Sequence, residues 1–419
     1  MTLMPRWPAS WPVLLFFSCV ILLPFSRLAG VAVAIICIVI IYLGLYRPAD
    51  VLVRFKQFFA LFAPWWLPML ISVPLAVDVA RSATVSLAAF RFALLGTFAL
   101  LLLARLDQHR QLQRWTAWLL ALWTVDLLVQ VVLGVSLLGI AVPADRPNGI
   151  FGPDHMKLGP TLATLSPLLL VYARRFGRPF VFPLAWFAVL VALLLIGTRS
   201  AWITFAVVSI ALVTREVMQS GTFNWKGPVA LILAVVLAAG AAWQLSPQFK
   251  HRLQATTQTL VDDNAIDRAV AQRLDIWQGA TAMVADRPLT GVGVRGFRFA
   301  WPSYEQIDPD HWQSDSARNA LHAHHLILEV LAETGLIGLL GFVVAVAVAA
   351  RLWRRASGPQ RETAWPYALG LIAALFPLNT HYAMYSTFWS LVIMWLLALY
   401  ASALHSDEET TMPEGDLSR

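Results

Sequence analysis

The chain has 419 residues, 58% of them hydrophobic and only 13% charged, with a mean hydropathy of +0.66. Apolar stretches of about 20 residues recur along nearly its whole length, which excludes a soluble domain and reads as an all-α polytopic membrane protein. The formal charge of +7 invites a nucleic-acid partner, but the basic residues fall in short loops between apolar runs, as orientation signals do, so no nucleic acid is expected.

Backbone groups in lipid must satisfy one another, so the apolar runs are predicted to be helices. A window of about 19 residues gives about twelve spans. They lie near 11–28, 32–46, 58–77, 83–103, 112–135, 158–173, 181–196, 201–213, 229–243, 334–350, 364–378 and 387–405. The first run continues directly into the second with no cleavage signal, so it is expected to be retained. Cys19 and Cys37 lie inside apolar runs and signal neither a metal site nor a disulfide.

Arginine and lysine set the orientation. One alternate set of loops holds Arg47, Arg54, Lys56, Arg105, Arg110, Arg114, Arg174, Arg175, Arg178, Arg215, Lys226, Arg351, Arg354, Arg355 and Arg361. The opposite short loops hold Arg27, Arg81, Arg146, Lys157 and Arg199. The positive-inside bias places both termini in the cytoplasm.

The spans and loops divide the chain into four parts. Residues 1–244 carry nine spans, 245–322 form one large outer loop, 323–405 carry three spans, and 406–419 are an acidic tail expected to be disordered. A connection as long as 245–322 without function is uncommon. Its stretch RLDIWQGATAMVADRP (273–288) reads as an amphipathic helix stopped by Pro288, and GVGVRGF (291–297) as a turn-rich link.

The polar residues of the outer side carry the chemistry. His322, His324 and His325 sit where the large loop enters an apolar run. An isolated histidine there reads as a polar helix start, but imidazole also takes and gives protons near neutrality. Thr198-Arg199-Ser200 lies between two apolar runs, and Arg273 opens the amphipathic helix. Each alone reads as an interfacial anchor or a surface residue. Two arginine forks beside a base at one lipid surface point instead to a lipid-linked phosphate or pyrophosphate.

Other candidates are weaker. Arg91 and Asp126 lie within apparent spans, where charge is costly, and either pair with each other or line a cavity. Arg81 is a phosphate contact or an anchor, and the turn-rich segment from Arg146 to His155 could shape a substrate site. Asp308-Pro309-Asp310 is weak as a metal motif because such triplets are ordinary turns, and no P-loop or GxGxxG is present.

Three motifs together resemble the O-antigen ligase and polymerase superfamily of multispan, GT-C-like glycosyltransferases. They are Thr198-Arg199-Ser200; Arg273-Leu-Asp-Ile-Trp277 with Pro288-Leu-Thr-Gly291-Val-Gly293; and His322-Ala-His324 followed by Leu328, Glu329, Glu333, Gly335 and Gly338. The resemblance implies that His324, Arg199 and Arg273 carry the reaction, with His322, His325, Arg81, Arg91 and Arg146 as substrate-binding candidates. The family commonly carries Asn after the motif histidine, and here His325 stands there.

The resemblance further implies transfer of a polysaccharide from undecaprenyl pyrophosphate to lipid A–core at the periplasmic face of the bacterial inner membrane. His324 would deprotonate the acceptor hydroxyl while arginines stabilise the leaving pyrophosphate, with inversion and with no metal or other cofactor. A helix beginning at His324 would lower its pKa through the N-terminal dipole. The span pattern and single large loop favour the ligase over a polymerase or a protein O-oligosaccharyltransferase. The alternative of another class is a lipid-linked substrate transporter or flippase, for which the sequence lacks matching inverted repeats.

Overall fold

The structure is a computed structural model. It describes residues 10–142, 147–152, 156–220, 263–304, 321–377, 379 and 382–406, with positions 236, 237, 240, 243, 244, 250 and 254. Within 263–286 it describes side chains from Leu274 onward.

The described residues form helices α1 (Trp11–Ile21), α2 (Ser26–Tyr46), α3 (Pro48–Ser72), α4 (Val79–Ala89), α5 (Arg91–Leu102), α6 (Leu106–Leu133) and α7 (Leu158–Arg175). There follow α8 (Val181–Ile196), α9 (Arg199–Ser220), α10 (Asp263–Asp286), α11 (Phe297–Ala300), α12 (Leu326–Arg355), α13 (Gly358–Ala374) and α14 (Thr387–Leu404). No strand occurs among them beyond an isolated antiparallel bridge between Val135 and Ala141.

A helix overlies every predicted span except 229–243, of which only positions 236, 237, 240 and 243 are described. Seven of the described helices are long and apolar enough to cross a membrane: Arg27–Tyr46, Pro48–Leu75, Val79–Leu102, Leu106–Leu133, Arg199–Gln219, Leu326–Arg355 and Thr387–Leu404. Trp11–Ile21 and Val181–Ile196 are apolar but shorter. One span thus joins α4 and α5 across a bend at Phe90.

Helix α14 packs in the middle of the bundle. Its indole Trp395 Nε1 donates to the carbonyl of Phe16 at 3.0 Å, and Ser402 Oγ to those of Ala99 and Leu103 at 2.9 and 2.8 Å. Such side chain–backbone bonds fix helix position where lipid supplies no hydrophobic drive between helices. Helix α12 lies against α3 so closely that a Cβ on Gly341 would sit 2.0 Å from the carbonyl oxygen of Pro64.

A second, smaller core sits outside the bundle. Ile276, Met283, Val292, Phe297 and Trp301 pack with Ala323 and Ala332 at the start of α12. This core ties the amphipathic helix to the histidine segment.

Candidate functional site

The site is built on a break in α12. Gly335 has φ 66° and ψ −162° inside the helix. An unbroken helix would bond the carbonyls of Ala332 and Glu333 to the N–H groups of Leu336 and Ile337. Instead the N–H groups of Val292 and Gly293 donate to those two carbonyls at 2.7 and 3.0 Å. Leu336 and Ile337 in turn donate to the carbonyls of Pro288 and Leu289 at 2.8 and 3.2 Å. The segment 288–293 therefore takes the place of the missing helical turn, and all four backbone groups stay satisfied. A Cβ on Gly335 would lie 2.2 Å from the Leu289 carbonyl, and one on Gly291 2.4 Å from the Ala332 oxygen. Only glycine fits either place.

The other edge of this segment is pinned too. Val77 N–H donates to the carbonyl of Val292 at 2.9 Å, and Ser82 Oγ to that of Val294 at 3.0 Å. The chain then turns sharply at Arg295, whose φ is 58°. Its N–H donates to Oε2 of the fully buried Glu333 at 2.6 Å. Arg298 follows one turn later on α11.

Arg295 and Arg298 enter a cavity of about 530 Å³. Arg91, Lys157 and His322 also line it, and Leu23, Val33, Phe92 and Trp389 give it apolar wall. Among the described residues, four cations and no carboxylate appear in its lining. The Cys37 thiol, midway along α2, lies 3.7 Å from the Arg91 carbonyl. Lys157 Nζ lies 4.6 Å from the Phe388 ring centroid, and the Arg91 guanidinium 4.8 Å from that of Phe92. Burial pushes the Lys157 ammonium below its ordinary pKa. Burial does the same to Arg298, helped by the nearby charges of Arg295 and Arg81 and opposed by Glu333. Partly buried cations gathered in one place gain most from an anionic ligand with several oxygens.

Of the three histidines, His322 lines the cavity. The rings of His322 and His324 are 3.9 Å apart between centroids, tilted by 45°. His324 has φ 51°, so it and Arg295 are the two non-glycine residues with left-handed backbone among the described residues. Strain of that kind costs on the order of 1–3 kcal/mol and clusters where function holds it. His325 is the N-cap of α12, its ring nitrogen accepting from Leu328 N–H at 3.4 Å. The edge of Trp277 meets that ring, and its Nε1 donates to the Ala323 carbonyl at 3.1 Å. Burial lowers the His325 pKa, keeping its ring neutral and able to accept. Asn is a favoured N-cap for the same reason, which accounts for an acceptor of either kind after the motif histidine.

The structure thus gathers His322 and Arg91 into the cavity, with His324 against His322 and Arg81 near Arg298. Arg199 is exposed at the start of α9, just after the left-handed Gly197, and does not line the cavity. Arg146, Asp308 and Asp310 lie outside the described residues, as does the side chain of Arg273. Among the described residues no cluster of three or more His, Cys, Asp or Glu could hold a metal.

Arg91 and Asp126 do not pair. Both Asp126 oxygens are taken by backbone, accepting from the N–H groups of Leu137 and Ile150 at 2.7 Å each. Gln130 Oε1 likewise accepts from Asn148 and Gly149 at 3.0 and 2.8 Å. These two α6 side chains hold the outer segment after Gly134, so Asp126 is structural and Arg91 belongs to the cavity.

Sequence reasoning missed Arg295, Arg298 and Lys157. A signal existed for the first two: arginines three apart flanking Gly296, directly after Gly291 and Gly293. Lys157 gave none beyond its place before an apolar helix.

A family model described as O-antigen ligase matches residues 184–343. The match runs from α8 through the large loop to the broken α12 and takes in Arg295, Arg298, His322, His324 and Glu333. No curated protein matches the chain.

Proposed function

We propose, for this member of the O-antigen ligase/polymerase superfamily, a glycosyl transfer in which the cationic cavity holds the pyrophosphate of an undecaprenyl pyrophosphate-linked polysaccharide. The acceptor is lipid A–core, and the reaction runs at the periplasmic face of the inner membrane. The carrying observation is one cavity lined by Arg91, Lys157, Arg295 and Arg298 together with apolar wall from Leu23, α2, α5 and α14. A lipid pyrophosphate needs both.

The chemistry follows from the arrangement. An acceptor hydroxyl attacks the anomeric carbon and forms the new glycosidic bond as the bond to the pyrophosphate oxygen breaks. His324 takes the hydroxyl proton, with His322 beside it facing the cavity. The leaving undecaprenyl pyrophosphate gains charge, which fixed arginines stabilise without reorganisation. A single displacement inverts the anomeric centre, and the arginines supply the positive charge in place of a metal. Arg199 and Arg273 enter by resemblance, as further contacts to donor or acceptor.

The test is transfer by purified protein offered three acceptors. Lipid A–core should accept, whereas a second lipid-linked glycan would mark a polymerase and a peptide an O-oligosaccharyltransferase. Movement of the donor across a bilayer without transfer to any acceptor would mark a flippase.

A further inference from the structure

Helix α12 carries two carboxylates, Glu329 and Glu333, both fully buried. One helical turn apart, they face the same way. Buried carboxylates in a membrane span are costly and persist where they do a task. Oε2 of Glu333 accepts from the Arg295 N–H, whereas Oε1 of Glu333 and both oxygens of Glu329 have no hydrogen-bond partner among the described residues.

Resting on the reading of the cavity as a pyrophosphate site, we infer that Glu333 is a positioning residue that aims Arg295 and Arg298 at the donor. Three observations join in it. Its Oε2 accepts from Arg295 N–H at 2.6 Å, holding that residue in its left-handed turn. In its ionised form it attracts both Arg295 and Arg298. It sits on the last residues before the Gly335 break, so the break, the pinned segment and the arginine pair are one unit. Glu333 touches no substrate and acts through the arginines.

The guanidiniums gain in two ways. The backbone bond fixes where the Arg295 side chain leaves the chain, which matters because a bidentate fork tolerates little misplacement. The countercharge offsets repulsion among Arg81, Arg295 and Arg298 when no anion is bound. A Glu333→Gln protein keeps an oxygen to accept from Arg295 N–H and loses only the charge, whereas Glu333→Ala loses both.

The experiment is a double-mutant cycle on donor KM in the full-length protein, using lipid-linked pyrophosphate glycan as the probe. Glu333→Gln should raise donor KM by about tenfold and Glu333→Ala by more, since hydrogen bonds to charged groups carry effects of that order. In an Arg295→Ala/Arg298→Ala background the Glu333→Gln effect should vanish, because its route to the donor is gone. A purely structural role would instead lower protein yield and thermal stability and add to the arginine effects. Wild-type donor KM in Glu333→Gln, or additivity in the cycle, overturns the positioning role alone. A wild-type protein that takes no lipid pyrophosphate overturns the reading of the cavity and this role with it. If Glu333→Gln fails to insert, Glu333→Asp keeps the charge but stops one methylene short of the Arg295 N–H, and should raise donor KM through loss of that bond alone.

Discussion

The imidazoles of His322 and His324 meet with centroids 3.9 Å apart, and His322 lines the cavity while His324, next to it, sits in a left-handed turn. This separates two roles that neighbouring histidines in a sequence cannot show. Loss of a general base costs about 10²–10⁴-fold in rate. His324→Ala should therefore lower kcat by that order with donor binding retained, and His322→Ala should raise donor KM more than it lowers kcat. Steady-state kinetics of the two variants checks it. Near-normal kcat in His324→Ala removes it as the base.

The arginines are tested by charge without fork. Lysine at 295 or 298 keeps a positive charge but cannot grip two oxygens at once. Arg298→Lys should raise donor KM by about tenfold, a loss of the order of one charged hydrogen bond. Full activity in both lysine variants would leave them as general positive field only.

The cap at His325 makes a pH prediction. Its folded pKa lies below the ordinary value, because burial disfavours the charged ring. A depressed value means that the folded state binds the proton less well than the unfolded state. The stability it contributes is then present above the unfolded pKa near 6.5 and lost as pH falls through the folded value. Thermal melting in detergent should show this loss on acidification, and His325→Asn should remove that part of it while keeping the cap. Identical pH profiles for the two proteins would contradict the assignment.

Gly335→Ala should be among the most damaging single changes. The new Cβ would lie 2.2 Å from the Leu289 carbonyl, at a φ of 66°. Strain and overpacking each cost on the order of 1–3 kcal/mol, and the variant should lose most of its folded yield. Gly358, with open space about it, is the control and should tolerate Ala. Equal yields of the two would mean that the pinned segment yields freely.

Orientation is checked by labelling. Gln278 is exposed on α10, and a cysteine there, in a protein lacking Cys19 and Cys37, should react with an impermeant reagent from the periplasmic side. Reaction from the cytoplasmic side alone reverses the proposed topology.

Much of the fold was legible because lipid demands it. Long apolar runs such as 32–46 and 387–405 can only be helices, and α2 and α14 stand there. The site was legible only where residue type carried chemistry, as in the histidines and Arg91. Arg295 and Arg298 were hidden because their segment reads as a glycine-rich turn. What makes it a site is its pairing with Ala332 and Glu333, far along the chain. The break at Gly335 was hidden for the same reason: glycines 335, 338 and 341 in an apolar run also suit close helix packing, as Gly341 does against Pro64. Asp126 misled because a charge in a span suggests an ion pair, and backbone N–H groups served it instead.

Binding of a lipid pyrophosphate by the cationic cavity is what the proposed reaction depends on. Its most direct measurement is the affinity of purified protein for one lipid carrier presented as pyrophosphate and as monophosphate, in wild type and in Arg298→Ala. The account predicts that wild type prefers the pyrophosphate by at least about tenfold, the order of one charge-assisted contact, and that Arg298→Ala loses most of that preference. Equal affinity for the two carriers in wild type, or a preference unchanged in Arg298→Ala, would contradict it.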